Sequence, residues 1–249
     1  MSGYLALEPG PAGRLRLFCF HHAGAGALSY ARWQRRFGAA VRVVPVRLPG
    51  RETRLREPRI VHAARLLDEL ASVLGPLCEE PHAFYGHSLG ALVAYSYAAA
   101  READGLRPPE LLAVGACAAP HLGVPVLDPA GSPDRDARTL LELGGGSPQE
   151  LTARPQWQQT MHGILRDDLR LARSLRASAG AVLGLPLLAF AGLEDPIAPV
   201  ADVGEWARYT ARSFRLRTVP DGHFFVRGAV LPDLLADELG EHSSLSPLH

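Results

Sequence analysis

Three side chains far apart in the sequence are of the types that together turn a hydroxyl into a nucleophile. Ser88 lies in "YGHSLG" (85–90), flanked by Gly86 and Gly90; His223 lies in "VPDGHFFVRG" (219–228); Asp195 lies in "LLAFAGLEDPIAP" (187–199). A serine attacks a carbonyl carbon only when a base takes its proton, and an imidazole does this best when a carboxylate holds its other nitrogen. The intermediate carries an oxyanion, which needs two backbone N–H groups aimed at it. One is expected from Leu89, the residue after the serine, and the other from Ala23 in the glycine-rich loop "HHAGAGA" (21–27).

Gly-x-Ser-x-Gly alone is a weak signal in a chain with 25 glycines, so its flanks must decide. A strand must lead in and a helix lead out, leaving the serine strained at the strand's carboxyl end. "PHAFY" (81–85) reads as a short strand and "LGALVAYSYAAAREA" (89–103) as a helix of small and apolar residues. Ala91, Ala94 and Ala98 let that helix approach a sheet closely. His21, His22, His62, His82, His87, His121, His162, His242 and His249 compete with His223 for the role of base. His223 alone follows the final strand in a glycine-containing loop; the others read as surface or satisfied core residues. The acid should follow the preceding strand, where Glu194 and Asp195 are neighbours. Asp195, before a proline that ends the turn, is preferred, and Glu194 is assigned to solvent. Asp221 is expected only to shape the loop of His223.

The elements that must position these residues alternate. Strands are expected at 14–20, 41–48, 81–85, 110–119, 185–192 and 213–220, with Pro45 marking an edge or an irregularity. Helices are expected at 29–38, 59–77, 89–103, near 200–211 and at 229–240. Such alternation means an α/β fold with a mainly parallel sheet flanked by helices. Residues 122–182 break the pattern with a Pro- and Gly-rich loop and helical segments, and divide the core into 1–121 and 183–249. The glycine-rich "LGGGSP" inside this insertion fits a mobile gate.

Composition narrows the classes. Hydrophobic residues make up 47%, charged residues 21%, and the formal net charge is zero, with no field that marks a nucleic-acid or membrane binder. The sequence has no lysine, which excludes a P-loop phosphate grip, a Schiff base and a Ser-Lys dyad. The three cysteines, Cys19, Cys78 and Cys117, fit neither a zinc site nor a disulfide framework and read as buried thiols. Without a signal-peptide pattern or a long apolar span, a cytoplasmic location is expected. A rival reading of "GAGALS" as a dinucleotide-binding turn lacks its third glycine, where Ser29 stands, and its acidic ribose ligand.

Together "FCFHHAGAGALSYARW", "LPGRETR", "YGHSLGALVAY", "AGLEDPIAP" and "GHFFV" resemble the discrete type II thioesterases of polyketide and nonribosomal-peptide pathways, over residues 14 to about 240. The family's first loop commonly reads Pro-His-Ala-Gly-Gly; His21 and Ala25 depart from it, and His22 matches its histidine, a positioning residue. The resemblance implies an α/β-hydrolase fold with 122–182 as a helical lid. It also implies a serine thioesterase that strips acyl groups from the phosphopantetheine arm of acyl or peptidyl carrier proteins, using no metal or cofactor. Carriers of this kind are acidic, and "RLPGRETRLREPR" (47–59) sets Arg47, Arg51, Arg54, Arg56 and Arg59 against Glu52 and Glu57: a docking surface or a solvated loop. The triad itself fits equally a carboxylesterase or lipase, or a chain-releasing cyclase. A non-catalytic binder on this fold would be expected to lack one triad member.

Overall fold

The computed structural model describes residues 3–11, 13–124, 132–143 and 155–245. Six strands form one sheet: β1 (Leu15–Phe20), β2 (Val41–Val46), β3 (His82–His87), β4 (Leu112–Gly115), β5 (Leu187–Gly192) and β6 (Phe214–Val219). Their order is β2-β1-β3-β4-β5-β6 and every pairing is parallel. Side chains alternate across the sheet, as the two-residue period of a strand requires. Phe18, Phe20, Val44, Val46, Phe84, Leu112 and Val114 join one core cluster with helices α1 (Ala63–Leu74) and α2 (Leu89–Ala103). Leu17, Cys19, Val43, Ala83, Tyr85, Ala113, Leu188 and Phe190 join the cluster on the other face.

Strand order reverses at β1, whose neighbours are β2 and β3. Such a reversal leaves a crevice beyond the carboxyl ends of the two strands where it occurs. The loop after β1 and Ser88 after β3 both open there. Pro45 lies in β2, an edge strand, where its missing N–H interrupts no inner ladder.

Some elements are shorter than the sequence pattern implies. Residues 29–38 form no α-helix; Ala27–Tyr30 and Trp33–Arg35 are single 3-10 turns. Tyr30, ending the first turn, meets Trp33, opening the second, edge-on at 4.8 Å between ring centres, with Trp33 in turn against Tyr85. The segment near 200–211 is likewise one helical turn, α5 (Val200–Gly204), followed by 3-10 residues to Tyr209. Between β4 and β5 lie two helices, α3 (Pro133–Leu143) and α4 (Pro155–Ala177), and no strand among the described residues. The "GGG" at 144–146 lies outside the described residues, as do 125–131. Helix α6 (Val230–Leu245) closes the second face of the sheet, through Leu231, Leu235 and Leu239.

Candidate active site

β3 ends at His87 and α2 begins at Leu89, so Ser88 alone makes the turn. Its backbone sits at φ 54°, ψ −113°, a strained conformation for a residue with a side chain. The strand and helix hold it there because they touch through backbone. A Cβ on Gly86 would lie 2.0 Å from the Gly90 carbonyl oxygen, and one on Gly90 would lie 2.0 Å from that of Phe20. The Ser88 N–H donates to the Gly115 carbonyl at 2.8 Å, tying the turn to β4.

Asp195 follows β5 and His223 follows β6, and both are buried. His223 Nδ1 donates to Asp195 Oδ2 at 2.8 Å. The other carboxylate oxygen accepts from the N–H groups of Ile197 and Ala198 at 2.8 and 3.1 Å. With Nδ1 as donor, Nε2 is the acceptor nitrogen, the tautomer a base needs. Glu194 is exposed, and Asp221 ties the two loops by accepting from the Glu194 N–H at 3.1 Å.

His87, inside the Gly-x-Ser-x-Gly motif, has more than a core role. Its Nε2 donates to the His223 carbonyl at 2.8 Å, and its Nδ1 accepts from the Tyr85 hydroxyl at 2.8 Å. A carbonyl can only accept, so Nε2 carries a proton; the Tyr85 hydroxyl can donate or accept, and it is burial that leaves Nδ1 without a proton. Burial, reinforced by nearby His223, pushes His87 down to about 3. His22 is buried too and packs edge-on against His87 and Phe224. Burial, then neighbouring His87 and His21, keeps it neutral as well. Sequence spacing carried one sign of the His87 role, its place beside the serine, but its partner lies 136 residues away.

Ala23 and Gly24 line the same cavity as Ser88, Leu89 and His223. The Gly24 N–H donates to Asp168 of α4 at 2.8 Å, and the Ala25 N–H donates to the His22 carbonyl at 3.1 Å. Leu89 is the first residue of α2, where N–H groups have no partner within the helix. The cavity measures about 330 Å³ and its wall is largely apolar, with Leu140 and Leu141 from α3 and Met161, Leu165 and Leu169 from α4. Arg176, at the end of α4, spends its guanidinium on the carbonyls of Ala118, Ala119, Pro120 and Leu122.

The arginines of 47–59 are largely paired within the fold, which leaves little of the segment as free positive charge. Arg47 pairs with Glu52, Arg51 with Asp168, Arg54 with Glu57 and Arg59 with Asp167. Arg54 also stacks on the Tyr4 ring. Arg56 alone of the five is exposed and has no ion pair among the described residues. All three cysteines are buried free thiols. No group of residues among those described could hold a metal ion, and no helix is long and apolar enough to cross a membrane.

Comparison with known proteins places this geometry among enzymes. A profile for the thioesterase domain matches residues 15–237. Linear gramicidin dehydrogenase LgrE of Brevibacillus parabrevis is 34% identical over 84% of this chain and 81% of its own. Thioesterase PikA5 of Streptomyces venezuelae is 32% identical over 88% of this chain and 78% of its own. Among solved structures, the RedJ thioesterase of the prodiginine pathway of Streptomyces coelicolor superposes with a TM-score of 0.81 at 35% identity, over 95% of this chain and 89% of its own. The word dehydrogenase in the first name does not carry over. A dinucleotide turn opens into a full helix N-terminus, whereas here Ala27–Tyr30 is one 3-10 turn.

Proposed function

The chain belongs to the thioesterase family, and from that premise we propose that it hydrolyses acyl groups from the phosphopantetheine arm of acyl or peptidyl carrier proteins through an acyl-serine intermediate. The observation that carries this reading is the His223–Asp195 hydrogen bond beside a strained Ser88, opening on one apolar cavity. His223 takes the proton of Ser88 as the hydroxyl oxygen attacks the thioester carbonyl. Asp195 holds the imidazole tautomer and stabilises its charged form without taking the proton itself. The N–H groups of Ala23 and Leu89 meet the oxyanion. The thiol leaves with the proton, and water activated by His223 then releases the acid.

In this reading residues 122–182 are a lid over a core of 1–121 and 183–249, and the apolar side chains of α3 and α4 seat the acyl chain. The prodiginine pathway named for RedJ supports a role in clearing stalled or misprimed chains from a synthase. The test is intact mass spectrometry of an acylated carrier protein incubated with the wild type and with Ser88→Ala, beside a p-nitrophenyl ester. Loss of the acyl group as free acid, in the wild type only, is the expected result. A carrier that stays loaded across a panel of acyl groups, while the ester is cleaved, would move the protein to the esterases.

A further inference from the structure

The catalytic reading leaves one buried ion pair without a task. Asp168, on α4, and Arg51, on the loop after β2, have side chains only 2% and 6% exposed. Arg51 binds the carboxylate with both terminal nitrogens, at 2.7 and 3.0 Å. The pair is also bound to the backbone of the loop after β1. Asp168 accepts from the Gly24 N–H at 2.8 Å, and Arg51 donates to the Ala25 carbonyl at 3.0 Å. One ion pair thus grips two successive residues of the loop, immediately after Ala23. The same helix presses on that loop through apolar groups: a Cβ on Gly24 would meet Leu165 Cδ2 at 2.9 Å and Met161 Cε at 3.5 Å.

Gly24 has φ +77°, which glycine adopts freely but does not prefer over other conformations, so its backbone alone does not select the loop's shape. Its shape is imposed from outside. The Ala23 N–H shares a peptide with the His22 carbonyl, which accepts from the Ala25 N–H at 3.1 Å, so a grip on Gly24 and Ala25 restrains that peptide plane and with it the direction of the Ala23 N–H. From this we propose that Asp168 and Arg51 are positioning residues of the thioesterase reaction: they aim the Ala23 N–H at the oxyanion. The inserted helix then both walls the acyl cavity and sets the hole. This inference rests on the assignment of Ser88 and Ala23 made above. A pair that only latched α4 to the core would affect stability or acyl binding and leave the transition state alone.

Two variants separate these roles. The double change Arg51→Met with Asp168→Leu removes both charges at similar volume, a replacement that buried ion pairs often tolerate. Asp168→Glu keeps the pair but moves its carboxylate by one methylene. Each would be checked for a cooperative thermal melt, then assayed with an acyl thioester and titrated with an alkyl trifluoromethyl ketone, which forms a tetrahedral adduct on serine. Removing an oxyanion donor outright costs about 10²–10³ in kcat, so misaiming one is expected to cost about 10–100-fold, with KM within about threefold. Affinity for the ketone should fall in step with kcat/KM, and affinity for the free acid product should hold. A folded variant with unchanged kcat, or with a raised KM and unchanged ketone affinity, overturns the proposal. Turnover surviving in Ser88→Ala would instead overturn the site assignment beneath it.

Discussion

The turn at Ser88 and the loop after β1 face one another across the cavity and are held by opposite means. The turn is held by backbone: Gly86 lets β3 touch α2, Gly90 lets α2 touch the end of β1, and a methyl group at either would meet a carbonyl oxygen at 2.0 Å. The loop is held by side chains that arrive from elsewhere, chiefly Asp168, which is 144 residues from Gly24 in the chain. A serine turn held by backbone contacts within the sheet and α2 keeps its geometry whatever happens to α3 and α4. On the proposed assignment, an oxyanion hole aimed by α4 can differ between relatives that share the turn.

The sharpest way to break that contrast is to put the same methyl group in both places. Gly90→Ala drives a Cβ into the Phe20 carbonyl, and neither strand nor helix can give way without separating. We expect loss of the soluble fold, a destabilisation above about 4 kcal/mol. Gly24→Ala meets the tip of Leu165, which can turn aside, and pays about 1–2 kcal/mol for its left-handed backbone. That variant should fold, melt somewhat lower and turn over more slowly. Melting curves and turnover of the two proteins check the pair; equal damage at the two glycines would erase the distinction.

His223, the proposed base, has its own backbone support, from the turn side. His87 holds the His223 carbonyl while Tyr85 holds His87. His87→Phe keeps the volume and leaves a buried carbonyl and a buried hydroxyl unpaired, a loss of about 1–3 kcal/mol for each. With the His223 loop freed, kcat is expected to fall by about 10–100-fold with little change in KM, since a misplacement near 1 Å can have such an effect. An unchanged kcat in a folded His87→Phe protein would make His87 a packing residue only.

The same contrast explains what could be read from the sequence. The turn was legible because strand, glycines, serine and small-residue helix are contiguous, and the Asp195–His223 pairing because each of the two follows a strand in order. The apolar runs of the strands, alternating with helical patterns such as the spacing of α1, made the parallel sheet legible in the same local way. Residues 29–38 misled because aromatic residues three apart serve a 3-10 turn as well as an α-helix. Arg51 and Arg54 looked like surface charge because nothing nearby in the sequence marks Asp168 or Tyr4 as their partners. His87 looked like a core histidine because its task is a hydrogen bond to the far end of the chain.

Acid should find these regions through their histidines. Burial, the largest influence on each, holds His21 and His82 near about 4, His87 near about 3 and His22 well below its usual range. In the unfolded chain the same groups titrate near about 6.5. Between those limits the unfolded state binds the extra protons, so their contribution is full above about pH 6.5 and shrinks as pH falls. The slope is up to about 1.4 kcal/mol per pH unit for each histidine. Urea midpoints should drop between pH 7 and pH 5, and His87→Phe should flatten that drop by one histidine's share. A drop as steep as in the wild type would show that His87 stays unprotonated in both states or charged in both.

The smallest effect concerns the one arginine of 47–59 that the fold leaves exposed and without an ion pair among the described residues, Arg56. Its neighbour Arg54 is buried between Tyr4 and Glu57, so reversing its charge would test the fold and not a partner. Arg56→Glu leaves every described ion pair intact. If an acidic carrier approaches this loop, the change should raise KM for carrier-bound substrate by about two- to fivefold, because a charge at the rim of an interface acts mainly on encounter. Added salt should narrow the difference, since exposed charges are screened beyond about 8–10 Å. The KM for a small free thioester should not move, because that substrate needs the cavity and not the rim. Parallel shifts for both substrates would mean that Arg56 reaches the cavity itself, and the docking face would then have to be sought elsewhere around its mouth.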